Sequence, residues 1–254
     1  MIEWIEYLAR LSVSTIVVST LIFTVVRALS SQAPGRLGRF VSDLMDALIY
    51  AGILVYLVIR PFVAQPFYIP SESMVPTLLV KDFVMVGKFN YRMNEPERGD
   101  VVVFRAPDHA LHPGQVPGKT DFIKRLIGLP GDVIEIKSGE GVYLNGKLVE
   151  EPYLNSPPNY NMKIRDGLVY EYDAVGNVWK GGEGMKHEPV LDEEEANRAM
   201  SEPSQPIPSG KYLMLGDNRP ASSDGHEWGL LDEWRVVGKA LFKFWPPGRI
   251  GKVN

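Results

Sequence analysis

The chain has 254 residues, 45% of them hydrophobic, with a formal net charge of −4 and both signs interspersed. That balance excludes the basic surface a nucleic-acid binder needs, so no nucleic-acid partner is expected. There is no cysteine, which excludes thiol catalysis, disulfides and thiolate metal sites.

Residues 1–64 read as a membrane anchor. LSVSTIVVSTLIFTVV, Leu11 to Val26, carries no charge. With Tyr7 to Ala9, and Arg10 free to snorkel, it reaches the roughly 20 residues a bilayer requires, so a transmembrane helix is expected at about 7–27. Its acidic start (Glu3, Glu6) and the lack of a clear small-x-small site argue for a retained helix rather than a cleaved signal peptide. A second apolar run, ALIYAGILVYLVI, extends at both ends to a span of about 44–63, with a buried core helix as the alternative. The stretch between them carries Arg27, Arg36 and Arg39, against Arg10 alone in the N-terminal tail. Basic residues in short loops stay inside, so this loop is expected in the cytoplasm and everything after Val63 outside.

Beyond Gln65 the pattern changes to short β-branched runs broken by Gly, Pro and Asp. DFVMVGKF, DVVVF, DFIKRLIGL, DVIEI, GVYLNGKLV, KYLMLG and VGKALFKFW read as strands. Asn145-Gly146 marks a two-residue hairpin turn. Residues 106–120 read as a long exposed loop, and 150–210, rich in Pro, Gly, Asn and Glu, as an inserted cap. Within the cap, GLVYEYDAVGNVWKG suits a hairpin, and DEEEANRAM (192–200) a helix with an acidic first turn. The expected fold is therefore mostly β. Two N-terminal transmembrane helices lead into an antiparallel catalytic domain, 65–149 and 211–254, with a smaller β-rich subdomain inserted at 150–210.

A serine hydroxyl needs a base to act at neutral pH. There is no G-x-S-x-G elbow, and neither HEP nor HEW continues to the second histidine of a zinc helix, so no metal or other cofactor is expected. Of the four histidines, only His226, near Asp224, could serve a triad; a surface histidine in a turn is the plainer reading. Lys124 is the other candidate. It lies inside an apolar strand, with Phe122 and Leu126 two residues away on the same face. On its own this suits a solvated sheet edge as well as a buried lysine.

The neighbouring sequence shifts that balance. IPSESMVPTL resembles the P-S-x-S-M-x-P-T-L box of type I signal peptidases, also called leader peptidases. RGDVVVF (98–104) resembles the next box, IKRLIGLPGD (123–132) the lysine box, and GDNRPASSDGHEWG (216–229) the last box. All four occur in family order. The resemblance implies a membrane-bound Ser–Lys endopeptidase that removes signal peptides from exported preproteins, with small residues at the first and third positions before the cut. It implies Ser73 as nucleophile, Lys124 as general base, and Ser71 with the Ser73 backbone N–H in the oxyanion hole. Ser222 would orient the lysine, and Arg125, Asp217 and Asp224 would support the dyad. The membrane is left open between a bacterial plasma membrane and an organellar one, the want of a transit-like N-terminus favouring the former; it is expected to be crossed more than once, with the catalytic domain on its outer face and lipid as a partner.

Two departures stand out. Glu72 occupies a position where the family often has glycine, and it is expected to point to solvent. Gly225 and His226 replace a frequent Ser-Arg pair, which leaves the partner of Asp224 open between Arg125 and Arg219. Two other readings are a membrane-tethered β domain that binds a partner and a self-cleaving Ser–Lys protease of the repressor type.

Overall fold

The computed structural model describes residues 13–33, 35–55, 63–89, 91 and 94–253. Helix α1 (Val13–Ser31) and helix α2 (Arg36–Ile53) form an antiparallel hairpin. It turns tightly at Gly38, where a Cβ would lie 2.5 Å from the Ala33 carbonyl oxygen. Arg27 of α1 pairs with Asp46 of α2. Among the described residues one helix, over Ser14–Ser31, is long and apolar enough to cross a membrane. The basic stretch 27–46 is largely helical: Arg27 lies in α1, Arg36 and Arg39 in α2, and residues 32, 33 and 35 are the described ones between the helices. The cause is an apolar period of three and four, Leu37, Phe40 and Leu44, which makes this stretch amphipathic helix. The expected second span depends on 56–62, and the first on residues before Val13; both lie outside the described residues.

The rest is two antiparallel sheets. The first holds β1 (Ala64–Tyr68), β2 (Phe83–Gly87), β3 (Val101–Arg105), β4 (Asp121–Gly128), β12 (Lys211–Leu215), β13 (Leu231–Asp232), β14 (Val236–Trp245) and β15 (Gly251–Lys252). Its order is β1-β2-β14-β3-β4-β12-β13, with β15 on β14. The second holds β5 (Ile134–Lys137), β6 (Gly141–Leu144), β7 (Lys147–Leu148), β8 (Asn161–Arg165), β9 (Leu168–Tyr172), β10 (Val178–Gly182) and β11 (Met185–Pro189). Its order is β11-β10-β9-β8-β5-β6-β7. β6 and β7 meet in the expected Asn145-Gly146 hairpin, both turn residues at positive φ. β9 and β10 form the expected hairpin of the insert. Helix α3 (Glu193–Ser201) starts at Asp192, whose carboxylate accepts from the Glu195 N–H.

The division into sheets falls earlier than the expected boundary at 149/150. β5 pairs with β8, Glu135 opposite Lys163, so β5 to β7 belong with the insert strands. Alternation within 132–149 tells which face is buried but not which sheet accepts the strand. One core joins the sheets: Ile127, Leu213 and Leu215 of the first pack with Ile134, Ile136, Met162 and Val169 of the second. A separate core of Ile69, Met74, Leu78, Val84, Val86, Val101 and Val103 lies under the segment carrying Ser73.

Candidate active site

Ser73 stands on the turn between β1 and β2. Burial of its neighbours fixes the turn: Met74 and Leu78 are wholly inaccessible, and the Leu78 N–H donates to the Met74 carbonyl at 2.8 Å. Asp82 closes the far end, accepting from the Leu79 N–H while Arg249 pairs with its carboxylate. With both apolar side chains plugged into the core, the hydroxyl is left facing a cleft of about 380 Å³. Among the described residues the Ser73 N–H has no acceptor, so it is free to meet a developing oxyanion.

Lys124 reaches that hydroxyl from β4, with Nζ 2.6 Å from Ser73 Oγ. The two side chains are 5% and 7% exposed. Phe122 and Leu126 flank the lysine on its face and pack with Phe104, Met214 and Trp228. Burial lowers the Lys124 pKa to about 8, against Asp224, Glu227 and Asp217, whose charges pull it up. Near pH 8 a large fraction of this amine is neutral, hydrogen-bonded to the hydroxyl and able to accept its proton. Ser71 Oγ lies 3.4 Å from Ser73 Oγ at the exposed side of the cleft. Glu72 is exposed, as expected from sequence.

The last box forms the floor. The Asn218 N–H donates to the Ser73 carbonyl at 3.1 Å. Gly216 packs so closely that a Cβ there would lie 2.4 Å from that carbonyl oxygen and 2.2 Å from Ser222 Oγ. Gly216→Ala must therefore displace the backbone of Ser73 itself. We expect a loss of roughly 10²-fold in kcat/KM, the scale set by ångström misplacement, with a stability cost of about 1–3 kcal/mol from overpacking. Steady-state kinetics and thermal unfolding of the variant check both. The Ser222 hydroxyl is buried without a partner in hydrogen-bond geometry, yet near enough to Asp224 to help keep that carboxylate ionised.

The charged residues pair in a pattern the sequence left open. Arg125 grips Asp217 with two hydrogen bonds, Nε to Oδ1 at 2.8 Å and Nη2 to Oδ2 at 2.7 Å. It also donates to the Gly99 carbonyl, and its guanidinium lies 3.8 Å from the Tyr153 ring centroid. Arg219 is fully buried against Glu151 and donates Nε–H to the Gly216 carbonyl. Neither arginine pairs with Asp224. Its partners are the Gly216 N–H at 2.7 Å and His226, whose Nδ1 lies 2.7 Å from Oδ1. The expectation that His226 is a surface residue is thus corrected: it is 8% exposed. Trp228, wholly buried two residues on, draws the short helix α4 (Gly225–Trp228) into the core. His226 hydrogen-bonds to no serine among the described residues, so nothing here builds a Ser–His pair. Glu151 and Tyr153, which close over the two arginines, were missed in the sequence. They lie in a polar stretch with no periodic signal.

Comparison with known proteins shows the family. The family model "Signal peptidase, peptidase S26" matches residues 41–245. Signal peptidase I of Leptolyngbya laminosa is 36% identical over 215 residues, covering 84% of this chain and 85% of that protein. Signal peptidase IB of Staphylococcus aureus is 37% identical over 198 residues, covering 78% of this chain and 86% of that protein. Among solved structures, a signal peptidase I from Enterococcus faecalis matches with a TM-score of 0.35 at 25% identity, over 57% of this chain and 97% of that one. The chain belongs to the signal peptidase family, peptidase S26, and is a serine endopeptidase.

Proposed function

We propose that the chain is a membrane-bound signal peptidase that cuts exported preproteins with Ser73 as nucleophile and Lys124 as general base. The observation that carries this reading is the buried 2.6 Å contact between Nζ and Oγ. Lys124 takes the Ser73 proton as Oγ attacks the scissile carbonyl. The oxyanion meets the Ser73 N–H and the Ser71 hydroxyl. Protonated Lys124 then gives its proton to the leaving amine, releasing the mature chain and leaving an acyl ester on Ser73. Water, deprotonated by Lys124, hydrolyses that ester and frees the signal peptide. Arg125, Asp217 and Asp224 support the dyad by fixing the strand and the turn on either side of it, and Ser222 by packing its hydroxyl beside Gly216.

An extended substrate fits the sheet edge beside the dyad. The Leu126 N–H donates to the Asp100 carbonyl and the Ala106 N–H to that of Thr120, so even-numbered residues of β4 turn their backbone groups to β3. Asp121 and Ile123 turn theirs the other way, where β12 pairs only from Arg125 onward. A peptide added along that edge delivers its carbonyl towards Ser73. Small side chains at the first and third positions before the cut suit a cleft of this size. Incubation of the full chain in detergent with a preprotein ending in Ala-x-Ala before the mature region tests the reading. A mature product starting directly after the second alanine is expected, and an uncut preprotein would contradict it.

The hairpin α1–α2 would hold the β region, 64–253, on the outer face of a bacterial plasma membrane, with two crossings and lipid around them. The exposed apolar face of α1 supports one crossing. The chain has no native thiol, so single cysteines report topology cleanly. A cysteine at Ser31 is expected to resist an impermeant thiol reagent in intact cells, and one at exposed Ser209 to label. The reverse pattern would overturn the orientation.

A further inference from the structure

His226 is held in the posture of a cation. Its Nδ1 lies 2.7 Å from Asp224 Oδ1 and its Nε2 faces Glu171 Oε2 of β9 at 3.8 Å, so a carboxylate stands before each ring nitrogen. The ring stacks on Tyr160 with 4.2 Å between centroids and 9° between planes. Nδ1 is within hydrogen-bond reach of Asp224, while Nε2 at 3.8 Å stands at ion-pair distance from Glu171, so an imidazolium is bonded to one carboxylate and attracted by the other, whereas a neutral imidazole gains only the first. Burial disfavours that charge, but Asp224, Glu171 and Glu227 outweigh it and raise the histidine's pKa. Of the neighbouring basic side chains, two share the carboxylates around His226 and two are engaged elsewhere. From β11, Lys186 lies 3.6 Å from Glu227 and His187 lies 3.1 Å from Glu171. Lys180 of β10 is paired with Glu195, and Lys211 of β12 with Asp232.

Asp224 reaches the dyad through Gly216, whose N–H donates to it and which packs against the Ser73 carbonyl. It is wholly buried, and its charge favours the ammonium form of Lys124. We propose that His226 is a positioning residue for the general base: as an imidazolium between Asp224 and Glu171, it holds and offsets the carboxylate that would otherwise keep Lys124 protonated. Loss of the His226 proton strengthens the field of Asp224 at Lys124, so the two ionisations are coupled. The inference rests on Lys124 being the base, and it gives a role to a histidine whose plainer sequence reading was a surface position.

The test is the pH dependence of kcat/KM for full-length wild type, His226→Gln and His226→Arg. Glutamine keeps a hydrogen bond to Asp224 but brings no charge, and its acid limb is expected to move up by roughly 0.5–1 pH unit at an effective dielectric near 20. Its rate should converge on wild type at high pH. Arginine, a fixed cation that also stacks on an aromatic ring, should restore the wild-type limb. A loss in the glutamine variant that is uniform across pH, with the limb unmoved, would overturn the proposal and leave His226 purely structural. Should the glutamine variant not fold, NMR titration of the His226 imidazole decides, because coupling is reciprocal. Its pKa should rise in Lys124→Met, and an unchanged value overturns the proposal. An acid limb unrelated to Lys124 would instead count against the dyad itself, so the two failures are distinguishable.

Discussion

Ser73→Ala and Lys124→Ala will each lower preprotein cleavage by on the order of 10⁴–10⁶-fold while leaving the protein folded. The two groups act as one unit at 2.6 Å, so the double variant should be scarcely worse than either single one. Lys124→Arg should be as inactive as Lys124→Ala, since a guanidinium does not give up its proton in this range. Ser71→Ala removes one oxyanion donor and should cost less, about 10²–10³-fold. His226 has no contact with the hydroxyl, so substituting it should not reproduce the loss seen with Lys124→Ala. Single-turnover assays on a labelled preprotein separate these cases. Substantial cleavage by Lys124→Ala would sink the proposed mechanism.

Asp217→Ala should have the largest effect on stability. Arg125 and Asp217 are 2% and 0% exposed, and their two-point contact is extended by Thr77 Oγ1, 2.5 Å from Asp217 Oδ2. Removing the carboxylate leaves a guanidinium buried without its counter-charge, a defect that costs about 3–5 kcal/mol. For a β region of this size that is a fall in Tm on the order of 10 °C. Activity should fall as well, because Arg125 is the residue next to Lys124 on β4, and Asn218, next to Asp217, holds the Ser73 carbonyl. A Tm within about 1 °C of the parent would show that the pair does not hold the site together.

The candidate pair stood out in the sequence because local rules and box order pointed to the same two residues. Phe122 and Leu126 alternate with Lys124 on a strand, and the serine box before it has the apolar Met74 and Leu78 that a plugged turn needs. What stayed hidden was decided by contacts distant in sequence. Nothing near Arg219 points to Glu151, 68 residues earlier, and nothing near Arg125 selects Asp217 over Asp224. His226 looked exposed because its segment is polar. Its burial follows from Trp228 and from Asp224 capping the helix, which matter only once the second sheet covers them. In the same way, β5 to β7 alternate correctly in sequence, yet the sheet they join is set by register with β8. The start of α2 at Arg36 went unread because its arginines drew attention to charge where the apolar period already runs.

The central claim is that Lys124 is kept short of its proton by burial. A lysine exposed in the unfolded chain titrates near 10.4, while in the folded protein it titrates at about 8. The folded value is the lower one, so this group destabilises the native state. The cost, roughly 3 kcal/mol, is fully present below pH 8 and shrinks as pH rises towards 10.4. Catalysis should follow the neutral fraction. The most direct measurement is kcat/KM of the full chain on a signal-peptide substrate from pH 5 to 11, with folding checked at each pH. An acid limb centred near 8 is the expected result; a limb centred near 10 would mean that Lys124 is an ordinary solvated lysine and that another group removes the Ser73 proton.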